Sequence, residues 1–545
     1  MNGKKAIVCL MAVTMGATSL FSGCGGNAAN GNGVVIDPNK TQVYVSAWNG
    51  GFGLTWLDEA VKRFNEKSEK AQVIVVPNKD IYQSSIAPAI ESGVSTNDIF
   101  ITAQPYCQDL GIKGYLEDLS DIWASDVDGN GITVEEKMQD ADLFKKVYQT
   151  AGGTWGLPHS SAIQGWIYDH GIFVENGWLI TENDGVTLTK GKDGVEGTYD
   201  DGQPTTMAEW DTMIQNIVQS TVYPFFWNGM ADADYLHSMQ EALFAQYIGL
   251  DNYEITYSYN GTYQPVGGGA AVEITPATGY KTIQLPEKRE IINFISKYLL
   301  ENQNYYHPSS TYKSVSHTDA QAKFILGYNN TTANPQSAML YDGIWWENEA
   351  RATFVSLEKR NMKEYTYGTR DYRFMLFPNL DGQIGANGDG TGSVIGISES
   401  GTIFLKKQTD EAKRGYAKEF IKYLVSDEVS RLFSVYATGA RPYNYELLPS
   451  DYENMTTFGK NAYELLSDTE NVKMIRLDAL TYLSQMNYFT TPTVSRWGSS
   501  AGGRDYTNAF SGIKNSSAAE YYAGMSAFAN ETYWNPIYQS YLNLQ

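Results

Sequence analysis

Residues suited to holding a sugar follow three successive apolar segments near the start of the chain. The positions at or just after the ends of these segments are Trp48, Asn49, Asp80, Gln104 and Tyr106. Sugar rings pack their C–H faces on aromatic rings, and their hydroxyls form hydrogen bonds with amides and carboxylates. The set therefore predicts a carbohydrate-binding site rather than a phosphate site, since no Walker motif occurs in the sequence.

The elements that would position these residues alternate between strand and helix. Apolar runs at 42–48, 71–76 and 98–103 predict three strands. Apolar residues spaced three and four apart at 54–64 and 81–90 predict helices between them. This order is typical of parallel strands with helices on the sheet faces, where ligands bind outside the carboxyl ends of the strands.

Length and charge limit the classes of function. A chain of 545 residues suggests two to four domains, at about 150 residues per domain. The net charge of −22 excludes a nucleic-acid partner, because phosphates would be repelled. The sequence has 39 tyrosines and 12 tryptophans, which suits a protein that stacks rings on a ligand.

The N-terminus is predicted to be a targeting segment. Lys4 and Lys5 precede a short apolar stretch, and Ser22 and Gly23 then lead into Cys24. This resembles a bacterial lipoprotein signal with its lipobox, which implies that residues 1–23 are removed and that Cys24 is acylated. The protein would then be held at the extracellular face of the cell membrane by its lipid alone, and we expect a Gram-positive cell. A plain secretory signal is the alternative.

Residues 24–40 are rich in glycine and asparagine and predict a flexible tether.

Cys107 is the thiol that remains in the body of the protein, so no intrachain disulfide is expected and the thiol is predicted to be buried.

One acidic stretch has the spacing of a calcium loop. In the segment 126–137, the side chains or carbonyls that would bind the ion are those of Asp126, Asp128, Asn130, Ile132 and Glu135. Lys137 stands at position twelve, where an EF-hand has a bidentate glutamate. The two interpretations are a structural calcium site and a solvated acidic turn; no other cofactor is expected.

Several later segments carry a family resemblance. The segment "GTWGLPHSSAIQGWIYDHGIFVENG" at 153–177 and "AMLYDGIWWENEA" at 338–350 are two of them, and a helix pair at 412–437 follows. In this order they resemble the extracellular solute-binding proteins of carbohydrate ABC importers, the group that includes maltodextrin-binding protein. The resemblance spans about 41–445.

The resemblance implies an α/β, two-lobed, periplasmic-binding-protein-like fold of type II. Three hinge crossings would join the lobes, and the ligand would bind in the cleft between them. We place the first lobe at 41–158 and 393–440, and the second at 159–392 and 441–545. The implied function is the capture of an oligosaccharide by a monomer, without catalysis, and its delivery to the permease subunits of an ABC transporter.

The resemblance also implies further ligand contacts. Trp345 falls where the family stacks a sugar ring, with Trp346 beside it as the alternative, and Gln104 and Tyr106 fall where it places polar and stacking contacts. The remaining candidates are His159, Trp227, Asn228, Asp342 and Trp497.

Two other functions stay open. A lipid-anchored glycoside hydrolase needs a pair of carboxylates flanking the scissile bond. The chain has 62 acidic residues, so the composition does not rule out such a pair. No H-E-x-x-H motif is present. A surface glycan-binding lipoprotein without a transport role would need no hinge.

Overall fold

The described strands form two large open sheets and two small sheets of two strands each. The computed structural model describes residues 35–229, 235–480, 513 and 516–542. The strands, in chain order, are β1 Thr41–Trp48, β2 Ala71–Asn78, β3 Ile99–Thr102, β4 Gln149–Thr150, β5 Gly153–Thr154, β6 Leu157–Pro158, β7 Ala162–Asp169, β8 Tyr223–Phe226, β9 Gly261–Tyr263, β10 Val272–Ile274, β11 Ser337–Gly343, β12 Tyr372–Met375, β13 Ser393–Glu399, β14 Thr402–Leu405 and β15 Val472–Arg476.

The α-helices of the described residues vary from single turns to segments of several turns. They are α1 Thr55–Lys67, α2 Ala87–Glu91, α3 Gln108–Ile112, α4 Ser120–Trp123, α5 Val134–Lys137, α6 Ala141–Tyr148, α7 His170–Asn176, α8 Met207–Gln219, α9 Leu236–Ile248, α10 Leu250–Ser258, α11 Lys288–Ile295, α12 His317–Leu326, α13 Trp346–Glu349, α14 Arg351–Lys359, α15 Glu411–Leu424, α16 Asp427–Ala437, α17 Pro449–Asn454, α18 Thr457–Ser467, α19 Ala518–Phe528 and α20 Glu531–Leu542. None of them is both long and apolar enough to cross a lipid bilayer.

The first sheet has the strand order β2-β1-β3-β14-β6. Strand β1 pairs in parallel with β2 and β3, and β14 runs antiparallel to β3 and β6. The predicted β-α-β-α-β unit is confirmed, because β1, α1, β2, α2 and β3 follow one another in this order. The carboxyl ends of β1 and β3 therefore lie at the same edge of the sheet.

The second sheet has the order β15-β13-β7-β11-β8, with β12 also pairing with β7. Every residue of β7 is buried, because helices cover both faces of this sheet. Trp166 and Tyr168 of β7 contribute to one hydrophobic core, while the alternating Ile163 and Ile167 contribute to the core on the opposite face. This arrangement explains why apolar residues occupy both faces of the strand rather than alternating with polar ones.

The chain passes between the two sheets at 159–161, at 400–401 and again after α16. The second passage differs from our predicted boundary at residue 393. Strand β13 pairs with β7 and β15, so 393–399 belong to the second sheet and the chain returns to the first sheet only with β14. The other lobe boundaries, and the action of these passages as hinges, stay predictions.

Candidate functional site

A cavity lies between the loop that follows β1 and the turn that follows β11. Its walls include Trp48, Trp56, His159, Trp345 and Glu399. The free space is about 30 Å³, far below the roughly 300–1,000 Å³ of pockets that hold small-molecule ligands. A sugar ring can therefore enter only if the two walls move apart.

Trp345 forms the wall contributed by the second sheet. Its ring folds back over Gly343, where an added Cβ would lie 2.3 Å from the ring. On its other side the ring meets Gly51, where an added Cβ would lie 2.3 Å from Trp345 Cδ1. Two residues without side chains thus allow the indole to sit between the two lobes.

Rings from both lobes surround Trp345. Phe52 and Tyr235 each make an edge contact with it, with ring centroids 6.0 Å apart. Phe52 also packs against the cores of both lobes. Such edge-to-face contacts stabilise the closed arrangement of the walls. This stabilisation adds to that from the apolar area that the rings bury.

Trp48 contributes a second indole from the end of β1. It is half-buried and lines the same cavity as Trp345. Its Nε1 would lie 2.3 Å from a Cβ added to Gly50, so the ring lies over the backbone of the following residues. Two of the five tryptophans predicted from the sequence, Trp48 and Trp345, are therefore brought to one site from opposite lobes.

His159 lies in the first passage between the lobes and forms the floor of the cavity. Its ring packs on Trp56 at 5.2 Å and on Phe433 at 5.4 Å. Burial, together with the nearby charge of Arg441, holds the pKa of the imidazole well below its usual range. The ring is therefore neutral at physiological pH, and its Nδ1 has no hydrogen-bond partner among the described residues.

Carboxylates cluster next to this floor. Burial raises the pKa of Glu399 to about 7, and the negative charges of Asp478 and Glu349 add to the shift. Burial also raises the pKa of Asp478 to about 6 and that of Asp342 to about 7. The site is thus rich in hydrogen-bond acceptors, and the described residues of the cavity wall include neither lysine nor arginine.

Asp342 lies behind the cavity rather than in its wall. It is 1% exposed, and its carboxylate accepts hydrogen bonds from the backbone N–H of Gly343 at 2.7 Å and from Gln321 Nε2 at 3.0 Å. Gln321 also donates to Glu349 at 2.8 Å. Asp342 therefore supports the turn that carries Trp345.

Other predicted contacts from the first lobe lie near the site but outside the cavity wall. Asn49, Asp80 and Gln104 are exposed, and Tyr106 is half-buried against Tyr82 with ring centroids 6.0 Å apart. The backbone carbonyl of Gln104 accepts hydrogen bonds from the hydroxyls of two threonines. Contact of these four residues with a ligand stays a prediction.

The structure does not bring Trp346 or Trp227 to the cavity. Trp346 is fully buried on the opposite side of the β11 turn, where its ring packs on Phe324, Tyr372 and Phe458. Trp227 is 1% exposed and packs on Tyr306 at 5.5 Å. Asn228, its neighbour, is also buried. Trp497 and Cys24 lie outside the described residues.

Four residues near the cavity were missed by our sequence reasoning: Phe52, Trp56, Glu399 and Asn348. The sequence "NGGFG" at 49–53 contained a signal for Phe52, because adjacent glycines directly after a strand often permit a close approach of other groups. Trp56 lies in α1, outside this stretch. Glu399 and Asn348 carried no such signal, because their positions depend on how the second sheet packs.

The calcium loop has a different pattern of contacts from the predicted one. Asp126 accepts four backbone N–H groups of its own loop, and Asn130 Oδ1 accepts the N–H of Ile132 at 2.9 Å. Asp128 pairs with Lys137 at 2.6 Å, and Glu135 pairs with Lys145 at 2.7 Å.

These side chains do not present a shell of ligands for calcium, because their carboxylates already contact protein donors. No cluster of three metal-binding side chains is found in the described ranges. Calcium binding by this loop is untested, and these contacts favour the other predicted interpretation, an acidic turn without the ion.

Known proteins are similar to this chain in fold rather than in sequence. No protein-family model matches the sequence, and no curated protein matches it. Among solved structures, a chitin oligosaccharide binding protein is 16% identical with a TM-score of 0.53, over 93% of this chain and 99% of its own. The protein RafE in complex with raffinose is 14% identical with a TM-score of 0.52, over 91% and 100% of the two chains.

A probable secreted solute-binding lipoprotein from Streptomyces coelicolor is 11% identical with a TM-score of 0.55, over 90% of this chain and 99% of its own. At these identities the likeness concerns the fold alone. Together with the two sheets and the cavity between them, it shows that this chain has the two-lobed α/β fold of the solute-binding proteins.

Proposed function

We propose that this protein is a lipid-anchored receptor that captures an oligosaccharide between its lobes and delivers it to an ABC import permease. The observation that carries the proposal is that Trp48 and Trp345 line one cavity from opposite lobes. Two indoles that line one cavity can pack on a sugar ring held between them, and each stacked ring contributes about 1 kcal/mol beyond the burial of its area.

Acceptors and donors beside the rings support a sugar as the ligand. Glu399 and the neutral imidazole of His159 lie in the same cavity wall. A carboxylate accepts hydrogen bonds from hydroxyls, and a neutral imidazole can both donate and accept. The solved structures of similar fold are described as binding a chitin oligosaccharide and raffinose, which supports the same ligand class here.

Binding would proceed through opening and closure of the lobes. Because the cavity in the closed arrangement holds only about 30 Å³, the lobes must separate to admit a sugar. The passages at 159–161 and 400–401 are short links between the sheets, and rotation about them would separate Trp345 from Gly51. A permease would then distinguish the closed, loaded receptor from the open one.

The test combines calorimetry, scattering and product analysis on the purified mature chain with a panel of oligosaccharides. We expect dissociation constants in the micromolar range or lower for a short oligosaccharide, and a smaller radius of gyration in its presence. Release of shorter sugars would instead support a glycoside hydrolase. Binding to insoluble polymer, with no preferred short oligosaccharide and no compaction, would support a glycan-display lipoprotein.

A further inference from the structure

The side chain of Glu399 has no bonded partner in the described part of the chain, although it lines the cavity. Its backbone is fixed in β13, where it pairs with Ala162 and accepts a hydrogen bond from Ser160 Oγ at 3.3 Å. Neither a hydrogen bond nor an ion pair reaches its carboxylate from 35–229, 235–480 or 516–542. An acceptor that can form several hydrogen bonds is therefore held at the cavity without a donor.

Asp478 and Glu349, whose negative charges raise the pKa of Glu399, both have hydrogen-bond partners of their own. Asp478 accepts hydrogen bonds from the backbone N–H of Ser400 at 2.6 Å and from its hydroxyl at 2.9 Å. Glu349 accepts from Gln321 and lies 3.4 Å from His317. The positive charge of Arg476 lowers the pKa of Asp478, whereas the two neighbouring charges that shift the pKa of Glu399 are both negative.

His159 supplies a second, independent sign of a missing partner. It is 8% exposed, it forms the cavity floor, and its Nδ1 is without a hydrogen-bond partner in the described ranges. Arg441 packs its guanidinium over the same two rings that contact His159, at 5.8 Å from Trp56 and 5.7 Å from Phe433, and its charge lowers the pKa of the imidazole. A ligand donor between Glu399 and His159 would satisfy both residues.

We propose that the oligosaccharide bound here contains an amino sugar whose free ammonium group pairs with Glu399. The inference rests on the proposed function and specifies its ligand. A neutral hydroxyl could donate to Glu399, but it would leave the repulsion from Asp478 and Glu349 uncompensated. An ammonium supplies the missing positive charge, and the neighbouring indoles of Trp48 and Trp345 favour a cation on their faces.

The experiment compares oligosaccharides that differ only at carbon 2. Tetramers of glucosamine, N-acetylglucosamine and glucose with the same linkage are titrated into the mature chain at neutral pH, together with matched sets of other linkages. We expect the free amine to bind at least about tenfold more tightly than its hydroxyl and acetamido counterparts, and the preference to weaken as salt is added.

The variant Glu399→Gln keeps the size of the side chain and removes its charge. We expect it to reduce the preference for the amine, measured as the ratio of its affinity to that of the matched neutral sugar, to less than about threefold. Glu117→Gln is the matched control, because Glu117 is a buried carboxylate bonded to the backbone N–H of Gln408 in the first lobe. It should leave the preference unchanged.

The outcomes separate this inference from the function on which it rests. If neutral sugars bind as tightly as their amines, or if the preference survives in Glu399→Gln, the amino-sugar inference is overturned and the receptor proposal stands. If no oligosaccharide of the whole panel binds, the receptor proposal itself fails, and the inference fails with it.

Discussion

The side-chain amide of Asn348 donates a hydrogen bond of 2.8 Å to the backbone carbonyl of Gly51. Asn348 lies in α13, directly after the turn that carries Trp345, whereas Gly51 follows β1 of the first sheet. The bond therefore joins the two walls of the cavity. A contact within the protein itself thus contributes to closure.

We expect Asn348→Ala to shift the ligand-free protein toward an open arrangement. A neutral hydrogen bond contributes about 1 kcal/mol net, which changes the ratio of closed to open molecules about fivefold. Small-angle scattering of the ligand-free protein should show a larger radius of gyration. Asn176→Ala is the control, because it removes a bond of 2.8 Å to the carbonyl of Ile172 within α7; equal radii for the two variants would contradict the prediction.

Trp345→Ala should weaken oligosaccharide binding by about tenfold or more, because it removes one of the two indoles of the cavity. Trp346→Ala is the matched comparison. Its ring is fully buried in the core, so we expect a loss of about 3–5 kcal/mol in unfolding free energy with little change in affinity of the folded protein. Calorimetric titration and thermal unfolding of both variants separate the two effects; an unchanged affinity in Trp345→Ala removes that residue from the site.

The first sheet could be predicted from the sequence because each of its signals is local. The apolar runs that gave β1, β2 and β3 are short and bounded by polar residues, and the helices between them show regular spacing. Trp48 could be placed at the site for the same reason, since the end of a parallel strand faces the ligand edge of its sheet.

Long-range packing explains what the sequence did not show. Trp345 and Trp346 are adjacent and identical in type, but only the direction of the chain after Gly343 decides that one faces the cavity and the other the core. Glu399 reaches the site because β13 pairs with β7 and ends at the passage between the lobes. No spacing within a single segment contains that information.

Stability should depend on pH through Asp342. Burial raises its pKa to about 7, compared with about 3.9 for an aspartate in an unfolded chain. Between these values the folded protein retains a proton that the unfolded chain has released, so unfolding free energy falls as pH rises, by at most about 1.4 kcal/mol per pH unit.

Urea unfolding at several pH values from about 5 to 7 measures this dependence. Asp342→Asn has no titrating group there, so we expect its unfolding free energy to fall less steeply over the same range. Asp142→Asn alters an aspartate whose side chain is 93% exposed, and it should retain the wild-type slope. Identical slopes for the wild type and Asp342→Asn would show that Asp342 keeps its ordinary pKa.

The proposed lipid anchor depends on Cys24. We expect Cys24→Ser to move the protein from the membrane fraction to the medium, because no acyl chain can be attached to serine by this route. Mass spectrometry of the wild type should show a lipid-modified residue 24 as the first residue of the mature chain. Cys107→Ser is the control, since that thiol is fully buried, and it should not alter the location of the protein.

Lys137 is expected to hold the loop at 126–137 in place of a calcium ion. Its ammonium is 4% exposed and lies 2.6 Å from Asp128 and 2.9 Å from Asp427 at the start of α16. A cation is thus already present between two carboxylates. We therefore expect the melting temperature of the wild type to change by less than about 1 °C between excess EDTA and excess calcium.

Lys137→Met should lower the unfolding free energy by about 3 kcal/mol, because it leaves Asp128 and Asp427 without their counter-charge. Calcium should then restore part of the lost stability, since the two carboxylates become free to bind it. Lys145→Met is the control, because Lys145 forms a more exposed pair with Glu135 at 2.7 Å, and its removal should cost at most about 1 kcal/mol. A rise of several degrees when calcium is added to the wild type would contradict this account and restore the calcium site, because the ion would then have displaced the ammonium.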